Sequence, residues 1–280
     1  MISARYRLSY VMCITAAICL LSIPSNAGNP GETKLIEPTY AEIITTAGIT
    51  AASLFIRFFG YEKNTPPDEH SNTIDYRIDH HFPLRINRPL GITADAFNWG
   101  APIAGLSFMA FSAFNAEGQE RIRRKIILMR FWEGYAATAL TTQLTKISVQ
   151  RPRPDGSDNA SFFSGHASSG FYCASFLTGY AGDVLSTGPL RSSSAPVRIM
   201  AGYIMPGTAL YGMAALTAFA RVRNHKHYFT DVLTGSLVGM VIGNLAYWIF
   251  TPRSHDYYGA IDAVVTAGPD GMIWAARYHF

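Results

Sequence analysis

Charge is scarce in this chain: 15% of its 280 residues are Asp, Glu, Lys or Arg, whereas 49% are hydrophobic. Mean hydropathy is +0.11, high for a soluble enzyme and mild for a polytopic membrane protein, so bulk composition does not assign the class. Cysteine is nearly absent as well, with Cys13, Cys19 and Cys173 the full set. If the first 27 residues are removed, Cys173 stands alone and an internal disulfide is excluded. The formal net charge is only +4 and no basic stripe interleaved with aromatics occurs, which leaves no basis for nucleic-acid binding. Internal repeats are missing, as is any alternating strand pattern before residue 260, so helices are the expected building material. Asp79-His80-His81 invites a metal-site reading, but no further ligand set at helical spacing accompanies it, and a solvated loop is expected there.

What the chain does contain begins with Arg5 and Arg7 ahead of an apolar run over residues 8–23, followed by the small residues Ser25-Asn26-Ala27. This pattern predicts a cleaved signal peptide over 1–27, since the run falls short of the roughly 20 residues of a full span. A retained first transmembrane helix is the alternative. Six apolar segments follow, at 41–59, 97–116, 131–149, 164–184, 199–220 and 231–250, each long enough for a helix and rich in small residues that favour close helix approach. Between them a polar loop is expected over 61–93, a basic connector over 117–130 and a flexible link over 182–197. Pro206 is expected to kink the fifth segment or shift its start. The tail from 260 to 280 alternates weakly around Gly268-Pro269-Asp270-Gly271, which suggests a small hairpin. The predicted fold is all-α: a six-helix bundle core over 28–250 with a hairpin-like tail over 251–280.

Three polar islands interrupt the apolar sequence. In the third, Arg221-Val-Arg-Asn-His-Lys-His227-Tyr-Phe-Thr-Asp231, helical spacing puts Asp231 on the same side as His227, where its carboxylate can hold the imidazole. The plainer alternative is a helix-capping Asp231 beside a surface histidine. The second island, Phe163-Ser164-Gly165-His166, stands where the fourth helix should begin; its backbone amides attract an anion, Gly165 allows close approach, and Ser164 can donate a hydroxyl. His166 would then stand beside that anion, suited to protonating a departing alkoxide. The first island, Lys146 to Pro154, adds Lys146 as a compact charge and Arg153 as a planar fork for two phosphate oxygens, and Arg221 can do the same from the third. Flanking charge on a membrane helix would explain Lys146 and Arg151 but leaves the histidines and Asp231 unexplained.

Lys, six residues, Arg-Pro, then Ser-Gly-His, then Arg, five residues, His, three residues, Asp resembles the three-part signature of the type 2 phosphatidic acid phosphatase superfamily. That group includes lipid phosphate phosphatases, bacterial acid phosphatases and vanadium haloperoxidases. The resemblance implies that His227 attacks phosphorus to form a phosphohistidine with Asp231 orienting it. It implies that His166 protonates the leaving alcohol and later activates water, and that Lys146, Arg153, Ser164, the Gly165 amide and Arg221 hold the phosphate oxygens. No metal or other cofactor is implied. Two departures stand out: Phe163 replaces the usual proline, and Ala220 replaces the usual serine before Arg221.

The expected activity is metal-independent hydrolysis of a phosphomonoester or terminal pyrophosphate bond, on a lipid phosphate given the apolar chain. Alternatives are a non-specific periplasmic acid phosphatase on small esters, a vanadate-dependent haloperoxidase, and a non-catalytic membrane protein that kept the motif. Expected partners are the phosphate-ester substrate and a membrane surface or bilayer. The expected location is the periplasm after export. Signal cleavage combined with six spans would turn the site toward the cytoplasm, whereas the basic stretch 117–130 asks for the opposite orientation. The preferred resolution is a compact periplasmic helical domain resting on a membrane, with an integral membrane protein as the alternative.

Overall fold

The computed structural model describes residues 37–61, 74–75, 77–78, 87–249, 251, 261–268 and 271–278. The expected signal segment and Asp79-His80-His81 lie outside the described residues. Six long helices make up most of what is described: α1 (Tyr40–Phe59), α2 (Arg88–Phe114), α3 (Gly118–Val149), α4 (Gly165–Thr187), α5 (Ala195–Arg223) and α6 (Phe229–Trp248). The backbone of Ile261–Gly268 pairs antiparallel with Gly271–Tyr278.

Three of the expected connectors are partly helix. Asn87 caps α2 by accepting the Leu90 N–H at 3.0 Å, and Pro89 falls in the first turn, where a missing N–H costs nothing, so the helix starts well before the apolar run does. The basic stretch 117–130 lies in α3, because Glu120 pairs with both Arg123 and Arg124 at 2.7 Å across one turn. Apolar patterning marks burial rather than helicity, and this charged segment lacked it. The link 182–197 contracts to the residues between Thr187 and Ala195. A π-helical turn over Met200–Ile204, with Met205 N–H bonded to the Met200 carbonyl, sits just before Pro206 and takes up the misfit that the missing proline N–H creates.

Side-chain contacts fix the helix directions. The end of α2 meets the start of α3, where Arg124 donates to the Ser112 hydroxyl at 2.7 Å. α4 runs back along α3, with Thr142 and Ser168 hydroxyls 3.0 Å apart and the Tyr172 hydroxyl donating to the Phe131 carbonyl at 2.7 Å. α5 runs opposite to α4, through Tyr203 to Asp183 and Ser175 to Tyr211. α6 lies parallel to α4 in close contact: a Cβ added at Gly239 would stand 2.0 Å from the Ser168 carbonyl oxygen, and Gly235 and Gly243 meet the Ser164 and Tyr172 carbonyls in the same way one turn either side. α1 runs with α3, since Glu42 reaches Arg130 and Tyr61 reaches Gln143. The ends of α1, α3 and α5 therefore share one end of the molecule with the starts of α2, α4 and α6. All three polar islands fall there.

The apolar core sits midway along α3 and α4 and against the end of α6, around Phe131, Phe176 and Tyr247, with Phe176 edge-on to both neighbours at centroid distances of 5.1 Å. Outside it the surface is apolar too. Phe55 and Phe58 on α1, Ile103 and Phe111 on α2, and Leu237 and Val241 on α6 are exposed. Tyr40–Phe59, Ala195–Arg223 and Phe229–Trp248 are each long and apolar enough to cross a membrane. Such a surface is costly in water, and it favours membrane association over a domain free in the periplasm.

Candidate active site

Lys146 lies in the last turn of α3, which ends at Gln150 in the left-handed conformation (φ 52°) with its N–H bonded to the Lys146 carbonyl at 2.9 Å. The chain then turns through Pro152 and Pro154, whose missing N–H groups keep it out of helix. Arg153 is pinned within this loop: Nε donates to Asp158 Oδ1 at 2.5 Å and Nη1 to the Lys226 carbonyl at 3.2 Å. Lys226 in turn pairs with Asp155 at 2.6 Å. These bonds tie the 150–163 loop to the turn after α5, where His225 takes φ 52° and the Lys226 and His227 amides both reach back to the Arg221 carbonyl.

His227 is 2% exposed. Its Nδ1 is 2.8 Å from the Ser161 carbonyl oxygen, an atom that only accepts, so Nδ1 carries the proton and Nε2 keeps its lone pair in the neutral ring. Burial, followed by the positive charges of Arg153, Lys146 and Arg221, pushes the imidazole well below the ordinary histidine value of 6.5. His227 is thus a neutral imidazole with one committed nitrogen and one available nitrogen, among three cations.

Asp231 does not hold that imidazole directly. Its Oδ2 lies 3.9 Å from His227 Nδ1, beyond hydrogen-bond reach, because the carboxylate is engaged elsewhere. Oδ2 accepts the Tyr228 N–H at 3.0 Å, capping α6, and the Ser161 hydroxyl; Oδ1 accepts from Arg151 Nη1 at 2.6 Å. The capping half of the plainer alternative therefore holds, although its histidine is buried rather than at the surface, and Ser161 links the two, its hydroxyl meeting Asp231 while its carbonyl meets the ring. Arg151, which flanking membrane charge seemed to explain, is a structural centre. It bridges Asp231 and the fully buried Asp75 (2.9 Å), and its guanidinium lies 4.0 Å over the Tyr228 ring. Asp75 also accepts from the Thr230 N–H and hydroxyl.

Ser164 caps α4, its hydroxyl accepting the Ala167 N–H at 3.4 Å while its own N–H donates to the Asp231 carbonyl at 3.0 Å. The start of α4 is thereby bonded to the start of α6. Gly165 and His166 are the first two helical residues, whose amides have no partner in the helix ladder. Across from them Arg221, at the end of α5, has its Nε buried without a hydrogen-bond partner, as expected of a donor kept for an anion. His166 Nε2 meets Asp95 Oδ1 at 2.7 Å, and the same oxygen accepts from Arg221 Nη1 at 3.1 Å. Beside them Arg57 of α1 lies 4.7 Å over the Trp99 ring. A cavity of about 470 Å³ lined by Arg88, Pro154, Asp155, Asn224, His225 and Lys226 opens next to the site.

All eight residues anticipated from the three islands thus belong to this end of the molecule. The PAP2 superfamily model matches residues 127–254, a stretch that includes all eight. Among curated proteins, the lipid A 1-phosphatase of Porphyromonas gingivalis is 36% identical over 104 residues, 37% of this chain and 19% of that protein. Phospholipid phosphatase 2 of Bos taurus is 35% identical over 85 residues, covering 30% of this chain and 26% of that protein. The human phospholipid phosphatase 2 is 32% identical over 103 residues, covering 37% and 33%. The matches thus span a fifth to a third of the relatives' lengths. No solved structure matches the chain. The matched region begins within α3, so Arg57, Asp75 and Asp95 lie outside it. No signal in the sequence marked them: each meets its partner only across the fold, Trp99 for Arg57, Arg151 for Asp75 and His166 for Asp95.

Proposed function

We propose that this chain is a membrane-embedded lipid phosphate phosphatase acting through a phosphohistidine on His227. The observation that carries this reading is the hydrogen bond from His227 Nδ1 to the Ser161 carbonyl, which leaves the Nε2 lone pair free beside Lys146, Arg153 and Arg221. In the first step Nε2 forms a bond to phosphorus, the P–O ester bond breaks with its electron pair on the alcohol oxygen, and His166 supplies the proton. In the second, water attacks phosphorus as His166 takes its proton, the P–N bond breaks and inorganic phosphate departs. Fixed cations and the amides at the start of α4 stabilise the equatorial oxygens, where charge builds in the transition state. Asp231 acts on His227 through Ser161, and the chemistry requires no metal or cofactor.

The helices lie side by side in a single bundle with the 261–278 hairpin as an appended tail, and we take them to cross the bilayer together. Arg121, Arg123, Arg124 and Lys125 stand at the end of α3 opposite the site, so the positive-inside rule turns the site away from the cytoplasm. That orientation places Tyr40 on the inner side, and with it we take the N-terminal apolar run as retained rather than cleaved.

The test is phosphate release by the purified chain across phosphatidate, a prenyl pyrophosphate, a small aryl phosphate and lipid A, the substrate class that the name of the P. gingivalis relative prints. Release from at least one lipid, with an acid-labile phosphoryl group trapped on the protein, is the expected result. Release from the aryl ester alone would replace the lipid reading with a non-specific one.

A further inference from the structure

We propose that Asp95 is a positioning residue for His166, fixing its ring and favouring the protonated form that a general acid needs. The inference rests on the phosphatase reading above. It stands on the geometry of one oxygen: Asp95 Oδ1 is 2.7 Å from His166 Nε2 and 3.1 Å from Arg221 Nη1. A carboxylate only accepts at neutral pH, so Nε2 carries a proton and the ring is held in one tautomer with Nδ1 as its other working nitrogen. The charged side chains facing His166 are Asp95 from α2, Arg57 from α1 and Arg221 from α5, and neutral His227 lies beyond them. Two of these are cations that oppose a second positive charge, and Asp95 is the one anion among them. Without it, an imidazolium between two arginines is disfavoured, and the leaving oxygen loses its proton donor.

Asp95 is also the part of the site that water reaches. Its side chain is 57% exposed, against 11% for His166 and 12% for Arg221. It is a route by which His166 re-equilibrates its proton with solvent between turnovers. Trp99, one turn further along α2, stacks on Arg57 and keeps that cation next to the carboxylate. This wall lies outside the residues that the superfamily model matches.

The experiment compares the wild-type chain with Asp95→Asn and Asp95→Glu in detergent. It measures kcat/KM from pH 5 to 9 on an alkyl phosphate and on a nitrophenyl phosphate, whose leaving group needs little protonation. The Asn variant is expected to lose on the order of ten- to a hundredfold on the alkyl ester and far less on the nitrophenyl ester, with its alkaline limb moved to lower pH and activity largely restored by Glu. An equal loss on both esters, or a pH profile identical to wild type, overturns the proposal, because a merely structural role predicts one or the other. Should Asn fail to fold, as judged by its melting curve, Asp95→Ser is read by the same ratio and profile. A wild-type chain that releases phosphate from neither these esters nor any of the lipids above would instead overturn the phosphatase reading itself.

Discussion

His227 is 2% exposed and held by Ser161 from within the matched domain, whereas the carboxylate on His166 comes from a helix outside that domain and is more than half open to water. One side of the site is locked and the other is accessible. Under the proposed mechanism the difference follows from what each histidine would have to do. A nucleophile must keep one lone pair aimed and unprotonated, which burial among cations and a carbonyl acceptor accomplish without moving parts. A group that gives and then takes a proton needs a charge partner, which a partly exposed carboxylate supplies.

The largest expected effect breaks the locked side outright. His227→Ala should lower phosphate release by roughly 10⁴-fold on alkyl and aryl esters alike, in contrast to the leaving-group dependence expected at Asp95. Retained turnover would show that Nε2 of His227 is not the attacking atom. Next, Arg151→Met leaves the buried Asp75 and Asp231 facing each other uncompensated, and should destabilise the protein by about 3–5 kcal/mol in denaturant titration. A neutral result would mean that the two carboxylates are held by their remaining hydrogen bonds alone.

Gly239→Ala tests the seam between the two sides. A methyl group there would press the Ser168 carbonyl, driving α6 away from α4 and so Asp231 from Ser164, at a cost of about 1–3 kcal/mol with a matching fall in kcat. An unchanged melting temperature would show that the two helices can separate freely. The smallest effect is on pH. Because His227 is held neutral in the fold with its pKa below the ordinary 6.5, the unfolded chain binds the extra proton, and stability should fall as pH drops below that value. Melting curves between pH 7 and 5 should show this, and His227→Gln should flatten the slope.

Much of this site was legible in the chain. The four-residue step from His227 to Asp231 and the short Ser164-Gly165-His166 run are local relations that helical periodicity makes readable. The roles inside them were less so. Asp231 was expected on the His227 ring and is found on Arg151, Ser161 and the Tyr228 amide, because a carboxylate at the third position of a helix is also the natural acceptor for its cap, and a buried guanidinium nearby claims the other oxygen. Arg151 looked like a flanking charge since nothing in its neighbourhood announces Asp75, 76 residues earlier.

Sequence alone thus determined the six apolar segments, the three islands and the cations that make an anion site, all of them patterns written within a few turns of helix. Tertiary structure decided which nitrogen of His227 is free, that Ser161 stands between it and Asp231, and that Asp95 meets His166. The physical reason is the direction of the helices: with α2, α4 and α6 starting where α1, α3 and α5 end, residues separated by 66 to 80 positions become hydrogen-bond partners. No periodicity encodes contacts of that span.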